Sequence, residues 1–174
     1  ICVHKPKIIG ICGKKYHGKD TIGNYLTNNY GYERFALGDP LKEICGLAFD
    51  LDHGQLHGNK KEILDSRWGV TPRKILQYVG TDIFRDKIAE LIPNIGGMFW
   101  IKNLENRIIK RLSDSVNSYI VVTDVRFQNE IDFLKSYGKN NNCDVKIIRV
   151  TRNILSSDND EHISEKMINK LEDI

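Results

Sequence analysis

The stretch "GICGKKYHGKDT", Gly10–Thr21, places three glycines and three lysines within twelve residues. It follows the apolar residues Ile8 and Ile9 and precedes a segment of helical pattern. Glycines let a backbone turn tightly and approach a ligand closely, and both lysines and a helix N-terminus attract anions. The stretch therefore predicts a phosphate-binding loop between a buried strand and a helix.

The composition is that of an ordinary globular domain. The chain has 174 residues, of which 40% are hydrophobic and 28% are charged, so it can bury a core without covalent staples. A formal net charge of +3 is too small to indicate a nucleic-acid partner. No apolar run reaches membrane-spanning length. The four cysteines are scattered without a CxxC pair, which favours thiols in a reducing compartment over a disulfide framework: Cys2, Cys12, Cys45 and Cys143.

Apolar runs alternate with helical patterns along the chain. We expect strands at Lys7–Cys12, Tyr32–Ala36, Tyr119–Thr123 and Asp144–Val150. We expect helices at about 19–29, 72–91 after Thr71-Pro72, 98–112, 129–137 and 161–171, and a helical piece at 61–66. We expect a further helix that begins at Pro40 or Leu41 and ends at about Phe49, with Asp39 as the N-cap. Strands that alternate with helices predict an α/β fold whose parallel sheet is covered on both faces. Ligands bind beyond the carboxyl ends of such strands.

The segment Gly13–Lys19 matches the GxxxxGK pattern of a P-loop in the strand–loop–helix context that the pattern requires. In this interpretation the backbone N–H groups of the loop surround the β-phosphate of ATP, and Lys19 bridges the β- and γ-phosphates. Asp20 stands where Ser or Thr is expected, and Thr21 follows it. Both are candidate Mg²⁺ ligands. The predicted ATP-binding residues are Gly13, Lys14, Lys15, Gly18, Lys19, Asp20 and Thr21.

A second candidate site follows the third predicted strand, in "IVVTDVRFQNE", Ile120–Glu130. A hydrophobic strand that ends in aspartate is the Walker-B arrangement, so Asp124 is the third candidate Mg²⁺ ligand. Arg126 can reach a phosphate as a two-pronged donor. The alternative interpretation of Asp124 and Arg126 is a surface ion pair.

Polar residues recur at every fourth position of "TPRKILQYVGTDIFRD", Thr71–Asp86. At about 3.6 residues per turn they drift by about 40° per step, so they line one side of the helix. They are Arg73, Gln77, Thr81 and Arg85, and the apolar residues of the same helix are Ile75, Leu76, Val79 and Ile83. Because polar helix faces are usually only solvated, periodicity alone leaves their role open.

The stretch "ALGDPLKE", Ala36–Glu43, resembles the TGDxLR segment of adenylate-kinase-type nucleoside monophosphate kinases. Lys42 takes the basic position, which holds the acceptor phosphate in those kinases, and Asp39 takes the acidic one. Three further stretches resemble the bacteriophage-type deoxynucleoside monophosphate kinases more closely. They are "DVRFQNE", "TPRKILQYVGTDIFR" followed by Phe99-Trp100, and "DEHISE" at 160–165.

The resemblance implies an adenylate-kinase-like P-loop kinase fold, a three-layer α/β sandwich with a parallel sheet. It implies one domain over residues 1–174, with an acceptor-binding insertion at about 38–112 and a lid-like segment at about 151–160. The implied reaction is phosphoryl transfer from ATP, with Mg²⁺, to a deoxynucleoside 5′-monophosphate. The implied catalytic residues are Lys19, Arg126 and Arg152. The implied acceptor-binding residues are Asp39, Lys42, Arg73, Gln77, Arg85, Trp100 and Arg126.

The resemblance also implies partners. We expect ATP and a deoxynucleoside monophosphate, with a homodimer as an option, and neither a nucleic-acid polymer nor a membrane. The expected location is the cytoplasm, that of the host if the source is a virus.

Two alternatives share part of the pattern: animal-type phosphomevalonate kinases and a nucleotide-binding regulatory ATPase. The arginine-bearing helix at 71–86 and the intact "DVRFQNE" favour the nucleotide kinase, without indicating which base the acceptor carries.

Two further expectations concern less informative segments. Adenylate-kinase-type folds have five parallel strands, and only four are predicted here. We therefore expect either a truncated form of a longer natural protein or a mobile lid-like loop at Thr151–Asp160.

His53 and His57 are four residues apart, but Gly54 and Gly58 interrupt the helical pattern, which favours a loop over a metal-binding pair.

Overall fold

The computed structural model describes residues 5–14, 17–114, 118–151 and 171. Within these residues the strands are β1 (Lys7–Cys12), β2 (Glu33–Phe35), β3 (Tyr119–Val125) and β4 (Asp144–Arg149). The α-helices are α1 (Lys19–Tyr30), α2 (Asp39–Phe49), α3 (His53–Leu56), α4 (Pro72–Gln77), α5 (Ile88–Leu91), α6 (Phe99–Asp114) and α7 (Gln128–Asn140). A π-helix covers Tyr78–Lys87, and 3₁₀ turns cover Asn59–Glu62 and Gly96–Met98.

The described strands form one parallel sheet in the order β2-β3-β1-β4. This confirms the predicted parallel sheet and its four strands, whose bounds agree with the prediction to within two residues. The two central strands, β1 and β3, are almost entirely buried and apolar, as strands covered on both faces must be. Within the described parts of the chain, no helix combines the length and the apolarity that crossing a bilayer requires.

Helices cover both faces of the sheet. On one face, an ideal Cβ at Gly10 would lie 2.9 Å from Leu134 of α7. Gly10 pairs with Val122 of β3, and successive strand residues point to opposite faces. Thr123 therefore points away from α7, and its Cγ2 lies 2.5 Å from the Cβ position of Gly23 on α1. One helix on each side gives the three-layer α/β arrangement that the sequence predicted.

The chain forms two compact units, one from residues 1–36 and 104–174 and the other from residues 37–103. The first contains the sheet with α1 and α7. The second follows β2 in the chain, overlaps the predicted insertion at about 38–112, and has a core of its own. The buried members of that core are Cys45, Leu51, Ile75 and Val79.

The helical segment after Thr71 begins as predicted. The Thr71 side-chain oxygen accepts a hydrogen bond from the Lys74 N–H at 3.3 Å, and Pro72 occupies the first helical position. The segment then becomes a π-helix from Tyr78 to Lys87, which the sequence did not predict. A π-helix bonds residue i to i+5 and so has more residues per turn than an α-helix. Residues four positions apart in this segment, such as Thr81 and Arg85, are therefore separated by no more than one helical turn.

Two local predictions about this unit were wrong. Asp39 is not the N-cap of α2, because the helix begins at Asp39 itself, after Gly38, with no side-chain capping bond. The helical piece predicted at 61–66 is instead the 3₁₀ turn Asn59–Glu62.

Residues 53–56, where glycine was expected to interrupt a helix, form α3. The start of α3 is stabilised by two reciprocal hydrogen bonds. Asp52 Oδ1 accepts from the Gln55 N–H, and Gln55 Oε1 accepts from the Asp52 N–H, both at 2.9 Å.

An arginine–aspartate pair organises the polar segment that follows. The buried Asp65 carboxylate accepts hydrogen bonds from the Arg67 backbone N–H, from Nε and Nη2 of the Arg67 guanidinium and from Gln55 Nε2. Arg67 also bonds Asp50 Oδ2 at 2.9 Å. The guanidinium beside Asp65 holds the pKa of that carboxyl well below its usual range. This network ties the turn at 65–70 to the end of α2.

Replacing Asp65 with asparagine should lower the urea midpoint of unfolding, because the variant loses the charge that pairs with Arg67. The pKa of Asp65 is depressed in the folded state, so its stabilisation is complete above the ordinary aspartate pKa of about 3.9 and is lost as the pH falls below that value. The difference in midpoint between D65N and the parent should therefore be largest near neutral pH and should narrow below about pH 4. Equal midpoints near neutral pH would contradict this account. D86N, at an exposed carboxylate of the same unit, is the control.

Candidate active site

The loop after β1, which the sequence predicts to bind phosphate, depends on two glycines. Gly13 has φ +152, and a Cβ there would lie 2.5 Å from the carbonyl oxygen of Val150. Gly18 has φ +98 and directly precedes α1. Both are conformations that residues with side chains rarely adopt. The glycines at these two positions allow the backbone conformations that lead from β1 into the N-terminus of α1, where anions bind favourably.

Lys19 is the first residue of α1 and is held against the loop. Its side chain is buried, and its Nζ donates to the Gly13 carbonyl at 2.6 Å and to the Lys14 carbonyl at 2.8 Å. The His17 N–H donates to the Lys14 carbonyl at 3.2 Å, which closes the turn. The ammonium group of Lys19 is therefore fixed where the loop and the helix N-terminus meet.

Two of the candidate metal ligands lie in the first turn of α1. Asp20 and Thr21 directly follow Lys19 and are exposed. A carboxylate in this position interacts favourably with the positive end of the helix dipole. The structure thus explains why Asp20 is tolerated beside a phosphate-binding loop.

The third candidate, Asp124, lies at an irregularity of β3. Gly10 of β1 pairs with Val122, but Cys12 pairs with Val125, so β3 carries one extra residue within Thr123–Asp124. Such a bulge re-aims a side chain relative to simple alternation. Because Cys12 directly precedes Gly13, this register places Asp124 beside the start of the phosphate-binding loop.

Arg126 follows β3 in a turn that a buried carboxylate organises. Glu130 Oε2 accepts from the backbone N–H of Arg126 at 2.7 Å and from that of Phe127 at 3.0 Å. Glu130 is 4% exposed. Glu130 is not among the predicted site residues, although glutamate at the third position of a helix is a known capping signal. Glu130 therefore positions Arg126 after the strand.

Arg107 of α6 was also missed, and it supports the end of β2. Its Nη1 donates to the Ala36 carbonyl at 2.8 Å, and its guanidinium lies 4.9 Å from the centre of the Phe35 ring. Ala36 is the last residue before the second unit. No sequence signal links Arg107 to Ala36, because the two residues are 71 positions apart.

Within the second unit, α2 and the π-helix pack closely. A Cβ at Gly80 would lie 2.5 Å from Leu41 Cδ2, so any side chain here would displace Leu41. Lys42, next to Leu41, lies 3.9 Å from Asp39 Oδ1. Gly80 thus brings the helix that carries Lys42 against the helix that carries the predicted acceptor-binding residues.

Three predicted acceptor-binding residues, Arg73, Gln77 and Arg85, lie on the helical segment after Thr71 and are half-buried. Arg73 pairs through its Nε with Glu62 of the 3₁₀ turn. Gln77 is the last residue of α4, and Arg85 lies two turns further along, within the π-helix. The Arg73–Glu62 pair means that an incoming phosphate would compete with a carboxylate for this guanidinium.

Trp100 is a core residue of the second unit. It is 7% exposed, and its Nε1 donates to the Gly80 carbonyl at 2.9 Å. Its ring lies 5.3 Å from that of Phe84 and 5.0 Å from that of Phe99. The predicted contact between Trp100 and a base stays a prediction. The observed contacts support the π-helix.

Several predicted residues lie outside the described part of the chain. They are Lys15 of the loop, Arg152, most of the lid-like segment Thr151–Asp160, the "DEHISE" stretch and most of the last predicted helix.

Among the described residues, no group of three or more histidine, cysteine or acidic side chains is arranged to hold a metal ion.

Burial raises the pKa of the Cys12 thiol, with Arg149 opposing the shift, and raises that of Cys45 to about 11. These two thiols are therefore protonated at neutral pH and inert as nucleophiles.

A parallel sheet with a glycine-rich phosphate loop between β1 and α1, and a carboxylate beside it on β3, defines a P-loop kinase-like protein. A family model described as deoxynucleotide monophosphate kinase matches residues 7–56 and 50–173. The chain belongs to this family and is an enzyme, a kinase. It is also 37% identical over 161 residues to a protein of Acanthamoeba polyphaga mimivirus named "Putative deoxynucleotide monophosphate kinase". That match covers 91% of this chain and 80% of the viral protein.

Replacing Gly23 with alanine should impair the site, because the new Cβ would lie 2.5 Å from Thr123 Cγ2 and would push α1 away from β3. Overpacking of this kind costs about 1–3 kcal/mol, more than the gain of about 1 kcal/mol in helix propensity. Urea unfolding should report the lower stability, and kcat should fall because α1 carries Lys19.

The double variant G23A/T123S should recover most of that loss, since serine lacks the Cγ2 atom. The adjacent exposed substitution N24A is the control and should not destabilise the protein. Parent-like stability of G23A would contradict the close packing of α1 on the sheet.

Proposed function

We propose that this kinase transfers the γ-phosphoryl group of ATP to the 5′-phosphate of a deoxynucleoside monophosphate and forms the diphosphate. The observation that carries the proposal is the Lys19 ammonium group, held by the carbonyls of Gly13 and Lys14 at the N-terminus of α1. A buried cation between a glycine loop and a helix N-terminus is suited to the β- and γ-phosphates of a nucleoside triphosphate. Family membership supports a nucleotide acceptor.

The donor would bind to the first unit. The backbone N–H groups of the loop and of the first turn of α1 would surround the phosphates, and Lys19 would stabilise the charge that develops on the transferred group. Lys14, Lys15 and Gly18 belong to the same loop. Arg126, held by the turn that Glu130 organises, and Arg152 would supply further positive charge to that group.

The oxygen donors near the loop fit Mg²⁺, which prefers one or two carboxylates together with water and substrate phosphates. Asp20, Thr21 and Asp124 would hold the ion. A donor set of this kind does not require three clustered acidic residues. When bound, Mg²⁺ neutralises charge on the phosphates.

The acceptor would bind through cations of the second unit, and the resemblance also assigns Arg126 to the acceptor phosphate. Lys42, Arg73 and Arg85 would hold its phosphate, with Asp39 orienting Lys42, while Gln77 and Trp100 would lie toward the base. The acceptor phosphate is itself the nucleophile and is already ionised at neutral pH. Catalysis therefore needs positioning and charge stabilisation rather than a general base.

The family match does not favour a phosphomevalonate-kinase-like enzyme or a regulatory ATPase. Three further expectations stay predictions: a homodimer, the absence of nucleic-acid and membrane partners, and a location in the cytoplasm, that of the host if the source is a virus.

A coupled assay with each deoxynucleoside monophosphate tests the proposal directly. ATP hydrolysis without any acceptor dependence would overturn it.

Replacing Lys19 with methionine should abolish transfer to every acceptor and leave the fold intact, because methionine keeps the apolar stem and removes the charge. Loss of one such donor is expected to lower kcat by about 10²-fold or more. The coupled assay measures kcat, and circular dichroism checks the fold. K110M, at an exposed lysine of α6, should behave like the parent. Near-normal turnover of K19M would remove the role of the loop in catalysis.

Replacing Glu62 with glutamine should lower the acceptor KM, because the carboxylate would no longer compete with the acceptor phosphate for Arg73. R73A should raise the same KM, and the KM for ATP should change little in either variant. Bidentate phosphate contacts are particular to arginine, so R73K should not restore the parent value.

A second exposed arginine–glutamate pair, Arg111 with Glu33, provides the matched control. E33Q removes a carboxylate of similar exposure from the first unit and should leave both KM values unchanged. If E62Q and R73A alter only the thermal stability, Arg73 is a structural residue of the second unit.

A further inference from the structure

A pair of histidines lies beside Lys42 in the second unit. Helix α3 packs against α2 at Gly46, where a Cβ would lie 2.9 Å from Leu56 Cδ1. Lys42 is one turn before Gly46, so it lies on the same side of α2. His57 directly follows Leu56. The contact between the two helices therefore brings His57 to the side of α2 that carries Lys42.

The two histidines are stacked and accessible. The rings of His53 and His57 lie 4.9 Å apart at an interplanar angle of 20°. The backbone N–H of His57 donates to the backbone carbonyl of His53 at 2.8 Å, and this bond fixes His57 at the end of α3. Both residues are exposed, so an anion can reach the imidazole of His57 from solvent.

The charges around His57 are mainly positive. Partial burial and repulsion from Lys42, His53 and Lys61 lower the pKa of this imidazole, and Asp39 opposes them. The neighbours come from α2, from α3 and from the 3₁₀ turn at 59–62. Lys60 of the same turn is paired with Asp52 at 3.1 Å. His57 is therefore neutral at neutral pH in the free protein, within a cluster of cations that repel its proton.

A phosphate dianion would reverse that balance. Bound at Lys42, it would attract a proton to the adjacent imidazole and compensate the repulsion among the cations. Histidine is the side chain that best changes charge near neutral pH. A neutral imidazole in a cationic cluster is thus suited to bind a dianion with uptake of a proton.

We propose that His57 is an acceptor-phosphate-binding residue, which takes up one proton from solvent as it and Lys42 bind the 5′-phosphate of the deoxynucleoside monophosphate. This inference rests on the proposed function, because it assigns a further residue to the acceptor site. No covalent bond forms or breaks in this step. The proton passes from water or buffer to the imidazole, and the resulting imidazolium donates to a phosphate oxygen.

The test measures proton uptake and acceptor affinity together. Calorimetric titration of the full chain with the accepted deoxynucleoside monophosphate, in buffers of different ionisation enthalpy at about pH 7, gives the number of protons bound. The parent should take up a measurable fraction of a proton. H57Q should lose most of that uptake and raise the acceptor KM by about 10-fold or more with little change in kcat, which is the loss expected for one charge-assisted hydrogen bond.

H57K provides the second variant. A permanent cation at this position should keep the acceptor KM near the parent value and remove the part of its dependence on pH between about 6 and 8 that the titration of histidine causes. The second ionisation of the acceptor phosphate, near pH 6, is common to all variants and cancels in the comparison. K60Q removes a nearby cation that is paired with Asp52 and should leave proton uptake unchanged.

Parent-like proton uptake and acceptor KM in H57Q would overturn the inference and leave the kinase reaction in place. An H57K variant that binds the acceptor as weakly as H57Q would also overturn it, since the charge would then be irrelevant. If the parent transferred phosphate to no deoxynucleoside monophosphate at all, the proposed function would fail, and this assignment with it.

Discussion

The backbone turn at Gly13 is the constraint on which the phosphate-binding half of the molecule depends. With φ +152 and a Val150 carbonyl oxygen 2.5 Å from its Cβ position, this residue has no room for a side chain. The Val150 N–H meanwhile donates to the Cys12 carbonyl at 2.8 Å. The end of β1 is thus paired with β4 on one side and with β3 on the other, and the chain continues from Gly13 into the connection to α1. The position of Lys19 at the start of α1 follows from that connection.

Much of this architecture is encoded locally. The bounds of β1, the glycine spacing of the loop, and the Thr71-Pro72 helix start depend on neighbouring residues, so they could be predicted from the sequence. The π-helix could not, because its stabilising contact joins Trp100 to a carbonyl 20 residues earlier. The bulge in β3 depends on the register against β1, and no residue type marks it.

The same distinction between local and long-range information applies to the candidate site. The sequence showed which residue types can bind phosphate, at Lys19, Lys42 and Arg73, but not which neighbours hold them. Glu62 beside Arg73, and Glu130 beneath Arg126, became visible only in the structure. His57 was set aside because glycines flank it, whereas the Asp52–Gln55 capping box forms a helix across those glycines. Tertiary contacts thus decided the partner of each charge.

The order of the strands has a consequence for folding. Lys7 of β1 pairs with Tyr119 of β3, more than a hundred residues later, and β2 also pairs with β3. Closing such long loops costs conformational entropy before any contact repays it, so parallel pairing of this kind is slow. During synthesis, β1 and β2 emerge without their shared partner, while residues 37–103 can already bury their own apolar side chains. We therefore expect the second unit to fold ahead of the sheet, so that nucleotide-binding competence arises only after β3 has emerged.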